Sequence, residues 1–203
     1  MTLDSFSEII LALVCVWIFV QAFKVPNTHA GIGLAALLIG IAAVLGIVKF
    51  SSFTEASLIV SGAHKFASLV ASVAAFPILA YSLANPSQPF AMRLAGAWWL
   101  TFICGGFGVA IVVLGFKPWA QIVPALCALW IGYTVLFTAQ GRSTKRILGF
   151  VALLLSFAAT LLIKPEMQLL GFLSKTQLLH YFLAIALFLL TQERLKQKTG
   201  NIV

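Results

Sequence analysis

Seven long apolar stretches follow one another along the chain, each about twenty residues long and separated by short polar segments. An α-helix needs roughly 20 apolar residues to cross a hydrocarbon core of ~30 Å. Only 9% of the 203 residues are charged and 62% are hydrophobic, whereas about a quarter of the residues in a soluble domain are charged. Alternation with a period of two, the pattern of a transmembrane β-barrel, is not seen. The sequence therefore predicts an all-α, polytopic membrane protein.

The seven predicted transmembrane helices are expected to form a single domain over residues 1–203. Their connections are short and contain turn-forming residues, as in "KVPNTH" and "ANPSQP", so consecutive helices should be antiparallel. The N-terminal segment "MTLDSFSE" has no basic residue, and the first apolar stretch is therefore expected to be a retained helix instead of a cleaved signal peptide. The predicted spans cover residues 7–23, 29–50, 57–83, 93–116, 119–140, 145–163 and 169–191.

The distribution of basic residues predicts that the N-terminus lies outside and the C-terminus inside, because basic residues near helix ends favour the cytoplasmic side. The inner set is Lys24, Arg93, Arg142, Lys145, Arg146, Arg194, Lys196 and Lys198, and the outer set is Lys49, Lys117 and Lys164. Four acidic residues, Asp4, Glu8, Glu55 and Glu166, are also assigned to the outer side. The net charge of +8 is thus explained by topology, and the expected location is the cytoplasmic membrane, with no nucleic-acid partner.

Polar side chains on the third and seventh spans are predicted to meet in the outer half of the bundle. Serines and a histidine in the third span recur every three or four residues, which places them on one helix face; these are Ser57, Ser61, His64, Ser68 and Ser72. In the seventh span, His180 is expected about nine residues, or ~13 Å, below the outer surface. A polar group at that depth normally faces the bundle interior or a wet cavity. The predicted ligand-binding residues are Ser61, His64, Lys65, Gln121, Lys175, Gln177 and His180.

Other interpretations of these residues stay open at the level of sequence. Serine and alanine at helical spacing also occur where helices simply pack closely. A catalytic zinc site needs three protein ligands; His64 and His180 supply two, and Glu55 could be the third only if its loop folds inward. A haem held by His64 and His180 is also conceivable, but no flanking motif supports it, so no metal and no cofactor is predicted. Glu8 is assigned to the outer side at the very start of the first span, and no other acidic residue falls within the predicted spans, which argues against a retinal protein and against proton pumping through carboxylates. The three cysteines fall inside apolar stretches without metal-binding spacing and are predicted to be packing residues.

Two segments carry a distant family resemblance: "HAGIGLAALLIGIAAVLGIVKF" in the second span and "GFLSKTQLLHYFLAIALFLL" in the seventh. With the seven-span layout, they resemble an uncharacterised group of bacterial seven-helix membrane proteins. The layout of that group is similar to that of the alkaline ceramidase and progestin-receptor-like membrane hydrolases. The resemblance implies metal-dependent hydrolysis and matches His180 to the last histidine of the group's motif. Lys175 and Lys49 stand where the group has further histidines, and these departures weigh against a metal-dependent activity here.

Three functional hypotheses follow, and the first is favoured. The chain is a non-enzymatic, multi-pass membrane protein with an outward-facing polar pocket that binds or passes a small anionic or amphiphilic ligand, so its expected partners are the lipid bilayer and a small molecule. The second hypothesis is a metal-dependent membrane hydrolase acting on a lipid-like amide or ester. The third is a non-catalytic assembly subunit of a membrane complex. The sequence leaves the oligomeric state open.

Overall fold

The computed structural model describes residues 2–24, 29–51, 58–85, 89–138, 143–163 and 173–196. Within these ranges, seven helices are long and apolar enough to cross a membrane. They are α1 (Leu3–Phe23), α2 (Ala30–Phe50), α3 (Leu58–Ala84), α4 (Leu94–Val113), α5 (Trp119–Phe137), α6 (Thr144–Leu162) and α7 (Lys175–Lys196). A short helix, Pro89–Met92, precedes α4. The predicted all-α class with seven candidate membrane helices is confirmed.

The orientation remains a prediction. Five of the charged residues on which it rests lie outside the described ranges; they are Glu55, Arg142, Lys164, Glu166 and Lys198.

Local sequence signals set several helix boundaries. Thr2 caps α1, since its hydroxyl oxygen accepts a hydrogen bond from the backbone N–H of Ser5, and Ser143 caps α6 by accepting from the N–H of Arg146. Such caps satisfy backbone donors that have no partner within the first helical turn. The tight turn between α4 and α5 contains Gly115 with a φ of 107°, a conformation in which a side chain would be strained.

Helix α3 contains a π-helical turn, Ala71–Ala75, two residues before Pro77. Proline has no backbone N–H and its ring crowds the preceding turn of an α-helix, and the wider turn accommodates this break in the hydrogen-bond ladder. Single π-turns are rare and frequently lie at functional sites. The turn therefore marks the middle of α3 as a place where the backbone departs from regular packing.

The helices pack through small residues and expose large apolar side chains. α1 packs most extensively on α2, α6 packs on α7, and α1 also lies along α7. The interior is rich in fully buried alanines, among them Ala35, Ala74 and Ala186, which let helix backbones approach closely. Leu129 and Leu161 are 65% and 76% exposed on the outside of the bundle. A membrane protein is expected to present such side chains to lipid.

The starts of α1, α3, α5 and α7 lie at one end of the bundle, together with the end of α2. The hydroxyl of Thr2 donates to the carbonyl of Phe50, Gln177 donates to Asp4, and the ring of Phe50 contacts that of His64 on α3. Ala120 and Gln121, at the start of α5, line the same cavity as Glu8 and Lys175. We call this end the N-terminal end of the bundle.

Candidate functional site

A cavity of about 630 Å³ lies in the half of the bundle nearer the N-terminal end and is lined by all the long helices except α4. Its volume falls in the range of roughly 300–1,000 Å³ that small-molecule sites occupy. Most of the wall is apolar, with Leu11, Ile39, Phe76, Phe157 and Leu183 among the larger side chains. The polar lining residues are Glu8, His64, Ser68, Ser72, Gln121, Ser156, Thr160, Lys175 and His180.

A buried carboxyl group joins the two histidines of the cavity. Oε1 of Glu8 lies 3.6 Å from Nε2 of His180 and 3.7 Å from Nε2 of His64. The Glu8 side chain is 2% exposed, and its Oε1 has no hydrogen-bond partner among the described residues. A buried carboxyl oxygen without a hydrogen bond is costly to a fold. We call Glu8, His64 and His180 the carboxyl–imidazole cluster.

Ser7 fixes the orientation of the His180 ring. Its hydroxyl donates to the backbone carbonyl of Asp4 at 2.8 Å and lies 3.2 Å from Nδ1 of His180. Because the only hydroxyl proton of Ser7 is given to Asp4, we assign the proton of the second bond to Nδ1. In the neutral ring, Nε2 of His180 then faces Oε1 of Glu8 with its lone pair. This contact is favourable only when either Nε2 or the Glu8 carboxyl is protonated.

His64 is placed by its neighbours on α2 and α3. The ring of Phe50 meets the imidazole edge to face, with ring centroids 5.9 Å apart, and Nδ1 of His64 is buried without a hydrogen-bond partner among the described residues. The Ser68 hydroxyl donates to the His64 carbonyl at 2.8 Å, and that of Ser72 donates to the Ser68 carbonyl at 2.9 Å. Both serine hydroxyls therefore donate to backbone carbonyls of their own helix and can only accept hydrogen bonds from a group in the cavity.

A second layer of polar contacts ties the start of α1 to the start of α7. Oδ1 of Asp4 accepts hydrogen bonds of 2.8 Å from the Ser174 hydroxyl and from Nε2 of Gln177. The side-chain oxygen of Gln177 in turn accepts from the backbone N–H of Ser174. This arrangement holds Glu8 and His180, which follow within two turns on the same helices, in a fixed register.

The seven residues predicted as a ligand site fall into two groups. Those that line the cavity are His64, Gln121, Lys175 and His180. Those that do not are Ser61, Lys65 and Gln177. Lys65 is exposed, whereas Gln177 is only 4% exposed and is bound to Asp4. Whether any of them binds a ligand stays a prediction.

Glu8 is the main residue of the site that the sequence prediction did not include. The prediction assigns it only to the outer side; in the structure α1 begins at Leu3, so Glu8 lies in the second turn of that helix and is 1% exposed. A signal was present in the spacing. Glu8, Ala12 and Cys15 follow at intervals of four and three, so Glu8 continues the buried face of α1.

Within the part of the chain that the structure describes, no group of three or more His, Cys, Asp and Glu side chains is arranged to hold a metal ion. All three cysteines are free.

The opposite end of the bundle carries a separate polar cluster. Oε2 of Glu193 accepts a 2.6 Å hydrogen bond from the Ser143 hydroxyl and lies 3.6 Å from Nε of Arg146. Nη2 of Arg194 donates to the carbonyl of Leu83. Burial lowers the pKa of His29, and the charge of Arg194 lowers it further. These groups connect α6, α7 and α3 and are remote from the cavity.

Comparison with known proteins gives a family match and no individual relative. The family of unknown function DUF6962 matches residues 3–196, nearly the whole chain. No curated protein and no solved structure matches the chain.

Proposed function

The chain belongs to DUF6962, a family without an established function, and we propose that it is a multi-pass membrane protein that binds a small amphiphilic molecule. The supporting observation is a cavity of about 630 Å³ whose walls are mostly apolar and whose polar side contains the carboxyl–imidazole cluster. An amphiphile would place its apolar part against Ile39, Phe76 and Phe157 and its polar group against Glu8 and His180. Ligand sites typically combine such apolar walls with a few convergent polar groups.

The polar groups favour a ligand head that donates hydrogen bonds. Oε1 of Glu8 needs a donor, and the hydroxyls of Ser68 and Ser72 offer lone pairs only. A purely anionic head would meet the Glu8 carboxyl in a poorly solvated site, which is unfavourable. A hydroxyl or amide head therefore suits the site better than an anion. Lys175 also lines the cavity, but it is the first residue of α7.

The proposal is tested by filling the cavity and measuring bound amphiphile. The purified full chain is released from detergent in a mass spectrometer, and the co-purified small molecules are identified and quantified. Ser68→Phe inserts a ring into the cavity and should reduce the bound amphiphile about tenfold, equivalent to ~1.4 kcal/mol. Ser61→Phe is the matched control, since Ser61 lies on the same helix but outside the cavity lining.

Retention of the amphiphile by Ser61→Phe and its loss from Ser68→Phe would support the proposal. A wild-type protein that carries no amphiphile, or equal amounts in both variants, would contradict it.

A metal-dependent hydrolase is the second candidate. Its one supporting feature is that His64 and His180 converge on a carboxyl group, and the described side chains as they stand do not form a metal site. It would be supported by stoichiometric zinc in the purified chain that is lost in both His64→Ala and His180→Ala. Hydrolysis of a lipid-like amide or ester would then have to depend on the same residues. A chain that purifies without zinc and gains none on incubation with it would remove this candidate.

A further inference from the structure

We propose that the ligand enters the cavity sideways from the lipid bilayer, through a gap between α5 and α6, and that it is a membrane-resident amphiphile with a single hydrocarbon chain. This inference rests on the proposed function and adds to it the route of entry and the class of ligand.

The exposure of the lining residues locates the gap. On α1, α2, α3 and α7, every residue that lines the cavity is buried or half-buried. The exposed lining residues lie on α5 and α6 only, apart from Pro118, which directly precedes α5. They are Pro118, Gln121, Ile122, Ala125 and Leu161. Helices α5 and α6 also pack on each other less extensively than α6 packs on α7. The cavity is therefore closed on four helices and open where α5 faces α6.

The depth and chemistry of the gap favour lipid over water as the source of the ligand. Ala125 lies six residues after the start of α5, which is about 9 Å along the helix, so the gap extends well below the helix ends. Its edges are apolar, with Ile122 37% exposed on α5 and Leu161 76% exposed on α6. Gln121 is polar and lies nearer the helix start. An amphiphile lying in the bilayer meets the apolar edges with its chain.

Pro124 gives the α5 wall of the gap an unusual backbone. It lines the cavity and is buried, and because proline has no N–H, the carbonyl of Ala120 loses its usual backbone donor. Helices bend most readily at such positions. The wall between Ala120 and Ala125 is thus the part of α5 best able to move as a chain passes.

The size of the cavity selects a single chain. A volume of about 630 Å³ accommodates one hydrocarbon chain with a compact polar group, but not the two chains and large head group of a phospholipid. The polar groups at the inner wall, centred on Glu8, then bind the hydroxyl or amide end of the molecule.

The test uses the full chain reconstituted in phosphatidylcholine vesicles that contain a long-chain alcohol with a photoreactive diazirine in mid-chain. After illumination, the labelled positions are mapped by peptide mass spectrometry. We expect label on the inner walls, at Ile39, Phe76 or Leu183. Ala125→Trp, which narrows the gap, should slow inner-wall labelling by at least about tenfold, the effect of ~1.4 kcal/mol on a rate. Ile122→Trp, a second narrowing variant, should slow it too.

Two variants serve as comparisons. Ala110→Trp replaces an exposed alanine of α4 that does not line the cavity and should label like the wild type. Gln121→Trp obstructs the part of the lining nearest the start of α5, where the edge is polar. A water-soluble short-chain alcohol with the same diazirine reports entry from the aqueous side.

The outcomes separate the two proposals. Slower labelling in Ala125→Trp and Ile122→Trp but not in Ala110→Trp supports lateral entry. Inner-wall label that is insensitive to both gap variants, or that is lost only in Gln121→Trp, overturns lateral entry while leaving ligand binding intact. A wild-type inner wall that takes up neither alcohol overturns the proposed function itself.

Discussion

Gly46 on α2 lies directly against the carboxyl group of Glu8 on α1, and a Cβ at position 46 would overlap Oε1 and Cδ of that carboxyl. Position 46 is therefore occupied by the one residue type that leaves room for the Glu8 side chain. The carboxyl is held between the α2 backbone on one side and the imidazoles of His64 and His180 on the other.

Gly46→Ala should destabilise the protein and weaken amphiphile binding together. The added methyl group must displace the Glu8 carboxyl or separate α1 from α2, and overpacking of this kind costs about 1–3 kcal/mol. The expected result is a lower midpoint of thermal unfolding, followed by circular dichroism in detergent, with less amphiphile bound per chain.

Gly62→Ala on α3 is the control, since a Cβ at that position meets no atom within 4 Å. It should leave stability unchanged or raise it by up to ~1 kcal/mol, because alanine favours the helix over glycine. Equal stability of the two variants would show that Glu8 does not pack against Gly46.

The Glu8 and His180 side chains should be energetically coupled. In a double-mutant cycle built from Glu8→Gln and His180→Ala, contacting groups of one network give an interaction energy of about 0.5–3 kcal/mol. His29→Ala lies at the opposite end of the bundle and should add to Glu8→Gln within ~0.5 kcal/mol. Unfolding free energies measured in a detergent–denaturant titration supply both values. Additivity in the His180 cycle would contradict the 3.6 Å contact.

The parts of the fold that depend on hydrophobicity could be predicted from the sequence. Bilayer thickness fixes the length of an apolar stretch, so seven helices were foreseen. With seven antiparallel helices, α3 and α7 must start at the same end, which is why His64 and His180 were expected to be near each other. The spacing that joins His64 to Ser68 and Ser72 also indicated the helix face that now lines the cavity.

The partners of buried polar groups could not be predicted, because they depend on which helices are neighbours. The sequence assigns Glu8 to the outer side without a partner, and only the packing of α1 on both α2 and α7 shows why its carboxyl lies in the interior. Gln177 was expected to face the cavity, yet a buried amide requires a hydrogen-bond partner, and the nearest one is Asp4 on α1. Helical periodicity reveals a face, but not the helix that covers it.

Gln177→Ala should loosen the junction between the starts of α1 and α7. The substitution removes the hydrogen bond from Nε2 to Asp4 and the one from the Ser174 N–H, and a buried polar group left without its partner costs about 1–3 kcal/mol. Hydrogen exchange should become faster in the first turns of both helices. Gln121→Ala, at an exposed position, should change the unfolding free energy by no more than ~0.5 kcal/mol. Unchanged exchange in Gln177→Ala would argue against this junction.

The cavity should face the outside of the cell, because the basic residues predict an external N-terminus. Lys117 lies at the N-terminal end of the bundle and Lys145 at the opposite end, and both are exposed. In intact cells, a membrane-impermeant maleimide should label Lys117→Cys, and it should label Lys145→Cys only after permeabilisation. The unmodified chain is the control, because its own cysteines are buried or half-buried. The reverse pattern would place the cavity, and the gap between α5 and α6, in the cytoplasmic leaflet, and the ligand would then have to come from that leaflet.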